Sequence, residues 1–237
     1  MDEIEWWEFD TPAEMAEQVA GDIAFVIDSA VEAHGTARIA LPGGSTPDPI
    51  YKALLKEKSI AWPKVTLIPT DDRLVPPGDP LSNQGKLASQ FGAKGATIVP
   101  LVEESTLGDY REAGRRADAR LNELQWPLDL VCLGMGADGH TASIFPGPDL
   151  EAAIAGPKSR RALGVRPDPM PKEAAVDRVT LTAAAIASAR TVMIVISGAE
   201  KRRVLEQALK EGPLSTLPIG RVIAELNLAV DIFWSAE

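Results

Sequence analysis

The chain is short of the residues that cross-link, ligate or anchor. It has one cysteine, Cys132, so no intrachain disulfide can form, and its place inside the apolar run DLVCLG reads as core packing rather than a reactive thiol. It has two histidines, His34 and His140, with no HExxH or CxxC spacing around them, so no metal site is expected. His34 reads as an exposed helix-end residue. No apolar run approaches the roughly 18 residues of a membrane span. The acidic start MDEIEWWEFD lacks the basic and then apolar pattern of a signal peptide. A cytoplasmic protein with no membrane partner is expected. Basic charge is also scarce: 24 Lys and Arg stand against 34 Asp and Glu, a net charge of −10. That argues against nucleic acid as a partner, which needs a basic face. It leaves a small anion open, because exposed charges beyond a Debye length of about 8 Å are screened.

What is present is an ordinary folding composition. Hydrophobic residues make up 45% of the 237 residues, enough for a sizeable core without staples. There is no internal repeat and no low-complexity linker, so residues 1–237 read as a single domain. Short β-branched runs bounded by Gly, Pro or Asp alternate with helical patterns. The strand-like runs are 37–44, 64–72, 96–100, 127–136, 190–198 and 228–234, with 4–9 as an edge strand. Thr11, Pro12 and Glu14 make a helix start, and Gly35 suits the end of that helix. Further helices are expected over 46–57, 110–124 and 199–212, and 179–189 reads as a strand passing through Thr182 into an alanine-rich helix. The alternation predicts a doubly wound, mainly parallel α/β sheet with helices on both faces. Ligands in such folds bind beyond the carboxyl ends of the strands.

The strand ends carry the polar residues. LPGGSTPDP follows the first strand: Gly43 and Gly44 let the backbone turn closely around a ligand, and Ser45 and Thr46 offer hydroxyls and a helix cap. PTDDRLVPPGDPLSN follows the second. Arg73 there can grip a phosphate in bidentate fashion, and one of Asp71 and Asp72 can orient water or a sugar hydroxyl. Asn83 reads as a helix cap or a ligand contact. LGMGADGHTASIFPG follows the fourth. Gly134, Gly136 and Gly139 allow a path with exposed N–H groups suited to an oxyanion pocket. Asp138 can fix the loop or hold the imidazole of His140, which is either a turn residue or a proton-transfer group. Lys201, in the first turn of its helix, can reach an anion. Arg178, just before a strand, is expected at the surface, as are Arg202 and Arg203.

Together LPGGSTP, DDRLVPPGDPLSN, LGMGADGHTASIFPG, RVTLT and SGAEKRRVL resemble the 6-phosphogluconolactonases of the glucosamine-6-phosphate isomerase/6-phosphogluconolactonase family. The resemblance runs in order from about Ala40 to Arg221. It implies a modified Rossmann-like, sugar-phosphate isomerase-like fold. It implies hydrolysis of 6-phospho-D-glucono-1,5-lactone to 6-phosphogluconate in the oxidative pentose phosphate pathway, without metal or organic cofactor. It makes His140 the general base, Arg73 and Lys201 phosphate contacts, and Gly43–Thr46 the substrate cradle. Asp138 and Asp71 join the catalytic set, and Asn83 and Gly136 the substrate-binding set. A monomer or weak homodimer is expected. Asp72 departs from the family, which often has Glu there, and Lys172 and Pro171 lie further from the strand than in the family, so no role is carried onto them.

The chemistry suits the residue types. A lactone is an activated ester, and an imidazole, whose ordinary pKa is about 6.5, can take a proton from the attacking water near neutral pH. GSTPDP is not a GxSxG elbow, so Ser45 is a poor nucleophile candidate. Two alternatives stand beside this reading: a glucosamine-6-phosphate deaminase, which shares the GGSTP-like turn and a DGH-like segment, and a non-catalytic phosphosugar-binding protein.

Overall fold

Two sheets share one chain, and a single residue marks the passage between them. The structure is a computed structural model describing residues 4–44 and 46–236. In chain order the elements are β1 (Ile4–Phe9), α1 (Pro12–His34), β2 (Ala37–Leu41), α2 (Asp48–Leu54), β3 (Val65–Pro69), β4 (Asp71–Arg73), α3 (Asn83–Phe91), β5 (Thr97–Ile98), α4 (Tyr110–Asn122), β6 (Leu130–Leu133), α5 (Leu150–Ile154), β7 (Ala162–Val165), β8 (Arg178–Leu181), α6 (Ala183–Ala187), β9 (Val192–Ser197), α7 (Ala199–Glu211), α8 (Pro218–Ala224) and β10 (Val230–Ser235). Seven strands form a sheet in the order β1-β10-β9-β6-β2-β3-β5, every pair parallel. Three form a small antiparallel sheet, β4-β8-β7.

Both faces of the large sheet are covered, which is why a central strand such as β9 (VMIVIS) is apolar almost throughout. One face packs against α1, α2 and α3, the other against α4 to α8 and the small sheet. Helix α1 starts as its sequence requires: Thr11 Oγ1 accepts from the Glu14 N–H at 3.2 Å, Pro12 follows, and Gly35 ends the helix at φ 86°. Its buried Met15, Val19, Ile23 and Ile27 recur at helical spacing. Among the described residues, no helix is long and apolar enough to cross a membrane.

The structure corrects three expectations about the elements. The run 64–72 is not one strand: β3 ends at Pro69, and Thr70 donates its N–H to Leu41 (3.0 Å) in the large sheet while its carbonyl accepts from Leu181 (2.9 Å) in the small one. Thr46 caps no helix, because α2 begins at Asp48 with Pro47 as a cap that makes no side-chain bond. Asn83 is not the cap of α3; Ser82 is, its hydroxyl accepting from the Gly85 N–H at 3.0 Å. Strand β7 and helices α5 and α8 are additions to the expected elements.

Close backbone contact fixes the small sheet against α4. An ideal Cβ on Gly164 of β7 would lie 1.7 Å from the Tyr110 carbonyl oxygen, and one on Gly114 of α4 would lie 2.0 Å from the Gly164 nitrogen. No side chain fits at either place. Gly164→Ala is therefore expected to cost about 1–3 kcal/mol, while Gly21→Ala, in open space on α1, leaves stability unchanged or raises it by up to about 1 kcal/mol. Thermal melts of the two variants check this; equal melting temperatures would contradict the close-packed account.

Candidate active site

The site forms where the winding of the large sheet reverses. The chain proceeds from β2 outward through β3 to β5, and from β6 outward the other way through β9 to β10. Strands β2 and β6 are neighbours, with Ile39 opposite Leu130 and Ala40 opposite Val131. Their following loops diverge and leave a crevice, the place where ligands bind in this architecture. A cleft of about 510 Å³ opens there, lined by Gly43, Gly44 and Thr46 after β2, by Gly134, Gly136 and His140 after β6, and by Asp71, Arg73, Asn83, Arg178 and Lys201. A more open groove of about 570 Å³ beside β1 and α1 is lined by Glu8, Asp10, Glu14 and Glu17, a set that repels a phosphate.

The small sheet supplies the cleft with two guanidiniums. Arg73 of β4 stands directly opposite Arg178 of β8, and Asp71 opposite Thr180. Residues opposite each other, and residues two apart, share a face of an antiparallel pair. Asp71, Arg73 and Arg178 therefore reach the cleft together, and Asp72 points the other way. Like charges placed opposite each other are unfavourable alone, so this pairing is suited to an anion between them. Arg178 is not at the surface as expected: it is 4% exposed. Its Nη2 donates to the Ala174 carbonyl at 3.0 Å, and its Nε, like that of Arg73, is buried with no hydrogen-bond partner among the described residues. Burial pushes its pKa down, against the attraction of Asp71. Asp71 is held by the Ser143 hydroxyl, which donates to Oδ2 at 2.5 Å.

The third cation comes from α7. Lys201 is half-buried and has no hydrogen-bond or ion-pair partner among the described residues, and burial pushes its pKa down. Its neighbour Arg202 turns away to pair with Glu8 and Glu206 and to lie over Trp6 and Trp234.

His140 faces the same cleft. Its Nδ1 lies 2.5 Å from Asp138 Oδ1, and its backbone N–H donates to the same oxygen at 3.2 Å. Burial opposes ionisation of Asp138, but the hydrogen bonds and charge of His140 outweigh it and hold the carboxyl below its usual range. A carboxylate only accepts, so Nδ1 carries a proton, and in the neutral imidazole the lone pair is on Nε2. Gly136 makes room for the ring, since a Cβ there would lie 2.2 Å from His140 Cε1. The expected oxyanion pocket of glycine N–H groups is not formed by Gly136 or Gly139. Gly136 donates to the His140 carbonyl at 2.9 Å and Gly139 to the Gly136 carbonyl at 3.0 Å.

The turn after β2 is braced by α3. Gly44 adopts φ 85°, its carbonyl accepts from Lys86 Nζ, and Lys86 also pairs with Asp48 at 2.5 Å. A Cβ on Gly43 would collide with the Asn83 amide. Asn83 lines the cleft, yet its amide is engaged within the protein: Oδ1 accepts from Arg73 Nη1 and Nδ2 donates to the Asp71 carbonyl at 2.7 Å. Ser45, expected in the cradle, lies outside the described residues. Cys132 is buried, its thiol pushed up to about 12 by desolvation, as core packing requires. Among the described residues no group of His, Cys, Asp or Glu is arranged to hold a metal ion.

The fold and cleft are those of a sugar-phosphate-type α/β protein, and the comparisons agree. The family described as glucosamine-6-phosphate isomerases/6-phosphogluconolactonase matches residues 10–234. A 6-phosphogluconolactonase of Mesorhizobium japonicum is 38% identical over 97% of this chain and 94% of its own length. The crystal structure of a 6-phosphogluconolactonase from Shewanella baltica superposes with a TM-score of 0.90 at 31% identity, covering 99% of this chain and 98% of that one. A monomeric glucosamine-6-phosphate deaminase shares the fold, with a TM-score of 0.76 at 19% identity over 97% of each chain. The chain belongs to the glucosamine-6-phosphate isomerase/6-phosphogluconolactonase family.

Asp72 serves the site from behind. Fully buried, it accepts from the N–H groups of Arg73 (2.8 Å), Asn83 (2.6 Å) and Gln84 (3.0 Å) and from the Ser82 hydroxyl (3.3 Å). It thus ties β4 to the start of α3, where a negative charge is favoured. Burial nevertheless raises its pKa from 3.8 to about 6, against those donors. Between about pH 4 and 6 the native state holds a proton that the unfolded chain has released. Stability contributed by this group therefore falls as pH rises through that window and is flat above it. Asp72→Asn removes the titration and part of the accepting capacity. Urea unfolding should find the variant less stable by about 1–3 kcal/mol at low pH, with the gap narrowing as pH rises to about 6. A gap independent of pH would contradict the assignment.

Proposed function

We propose that the chain hydrolyses 6-phospho-D-glucono-1,5-lactone to 6-phosphogluconate. The observation that carries this is one cleft holding a carboxylate-oriented imidazole, whose Nε2 has no partner among the described residues, together with three cations, Arg73, Arg178 and Lys201. The cations take the phosphate, which they hold by charge-assisted hydrogen bonds. Arg178 joins the expected set because it is buried in the cleft with an unpartnered Nε. Gly43, Gly44 and Thr46 line the sugar, and Asp71, fixed by Ser143, accepts a sugar hydroxyl and balances the guanidiniums. Asn83 acts by holding Arg73, and Gly136 by giving the imidazole its space.

In the reaction a water attacks the lactone carbonyl carbon, and His140 Nε2 takes its proton. Asp138 stabilises the imidazolium that forms. The tetrahedral intermediate collapses, the ring C–O bond breaks, and the imidazolium returns the proton to the leaving ring oxygen, giving the open acid. No metal or cofactor enters this scheme. The whole chain acts as one domain, working in the cytoplasm as a monomer or weak homodimer within the oxidative pentose phosphate pathway. Greater likeness to named lactonases, 38% identity against 19% for the deaminase, supports the lactonase over the deaminase.

Acid release from the phosphorylated lactone, measured against a no-enzyme blank because the lactone hydrolyses spontaneously, tests the activity; ammonia release from glucosamine 6-phosphate instead would establish the deaminase. His140→Ala is expected to fold, to keep binding 6-phosphogluconate, and to lose about 10²–10⁴-fold in kcat. Near wild-type turnover in that variant would remove His140 as base. Arg73→Ala should act mainly on KM, raising it about ten-fold or more; an unchanged KM would exclude Arg73 as a phosphate anchor.

A further inference from the structure

We propose that Phe145 is a positioning residue for His140, its ring fixing the plane of the imidazole while Asp138 fixes its edge. The inference rests on the general-base reading of His140. The two ring centroids lie 4.1 Å apart with their planes 24° from parallel, a stacked contact. The Asp138 bond at 2.5 Å pins one ring nitrogen, and by itself leaves the ring free to rock about the Nδ1···Oδ1 line. The stacked phenyl removes that freedom, and the Gly136 backbone approaches the ring too closely for any Cβ there. The imidazole is thereby held on edge and face, with no partner for Nε2 among the described residues.

Such support matters because His140 is on a loop and its side chain is 30% exposed. A misplacement of about 1 Å in a reacting group costs about 10²-fold in rate. Phe145 is itself well placed to be rigid. Ser143 and Ile144 just before it are fully buried, and Ser143 is bonded to Asp71 and Thr180. The Arg178 guanidinium lies 5.5 Å from the phenyl centroid, an aromatic–cation contact. The phenyl thus stands between the base and one of the cations, and links the geometry of the two ends of the cleft.

Phe145→Leu keeps apolar bulk without the flat face, and Phe145→Tyr restores the face. The prediction for Phe145→Leu is a kcat lowered about 10- to 100-fold, with KM and 6-phosphogluconate affinity within about two-fold of wild type; Phe145→Tyr recovers most of the rate. Because the chain has two histidines, its imidazole proton resonances are readily assigned with His140→Ala. Those of His140 should be shifted upfield by the phenyl ring current in the wild type and in Phe145→Tyr, and should relax downfield in Phe145→Leu. A wild type without that ring-current shift overturns the inference even if Phe145→Leu fails to fold. So does a Phe145→Leu enzyme with kcat within two-fold of wild type, or one whose loss falls on KM alone. A wild type with no turnover above the blank would instead sink the lactonase reading itself, and an active His140→Ala its general base, so the failures are told apart.

Discussion

The site exists because β2 and β6 are neighbours whose connections leave in opposite directions. Parallel pairing at Ile39–Leu130 and Ala40–Val131 brings together two loops separated by about ninety residues of chain, and the divergence of the helices that follow keeps the space above them open. Everything else is arranged around that opening. The chain turns out of the large sheet at Thr70, whose backbone bonds to both sheets, and the three residues after it become the strand that overhangs the crevice. A cradle, an imidazole and a pair of guanidiniums thus converge with no one segment of sequence containing them.

Charge in the cleft is organised by the pleat. Strand β4 is only Asp-Asp-Arg, and its alternation separates two carboxylates that look equivalent in the sequence. Asp71 shares a face with Arg73 and Arg178 and is drawn into the cleft; Asp72 faces the protein and gathers backbone N–H groups at the start of α3. The net charge of −10 therefore says little about the cleft. Its three cations are set by register and by the first turn of α7, while acids collect elsewhere, as in the groove beside α1.

Local signals were legible and long-range ones were not. Thr11-Pro12 with Gly35 marked α1 to the residue, and the apolar runs located the strands of the large sheet, because these features depend on neighbours a few residues away. The loop motifs identified His140, Arg73 and Lys201, which line the cleft, and Asp138, which bonds to the imidazole. The burial of Arg178 was missed because it follows from antiparallel pairing with β4, a partner more than a hundred residues earlier in the chain. Strand β7, short and containing a glycine forced by α4, carries little β signal of its own. The glycines after β6 suggested free N–H donors, but the turn closes on itself and engages those of Gly136 and Gly139. Phe145 has no part in the sequence-derived site; only the folded loop lays it on the imidazole.

The central claim is that one sugar phosphate lies across the crevice with its phosphate among the cations and its lactone carbon at the imidazole. A crystal structure with 6-phosphogluconate bound tests this most directly. The account predicts phosphate oxygens within hydrogen-bonding distance of Arg73, Arg178 and Lys201, and the C1 carboxylate beside His140 Nε2. A ligand lying with its carboxylate among those cations and its phosphate at His140, or bound outside the crevice, would contradict it.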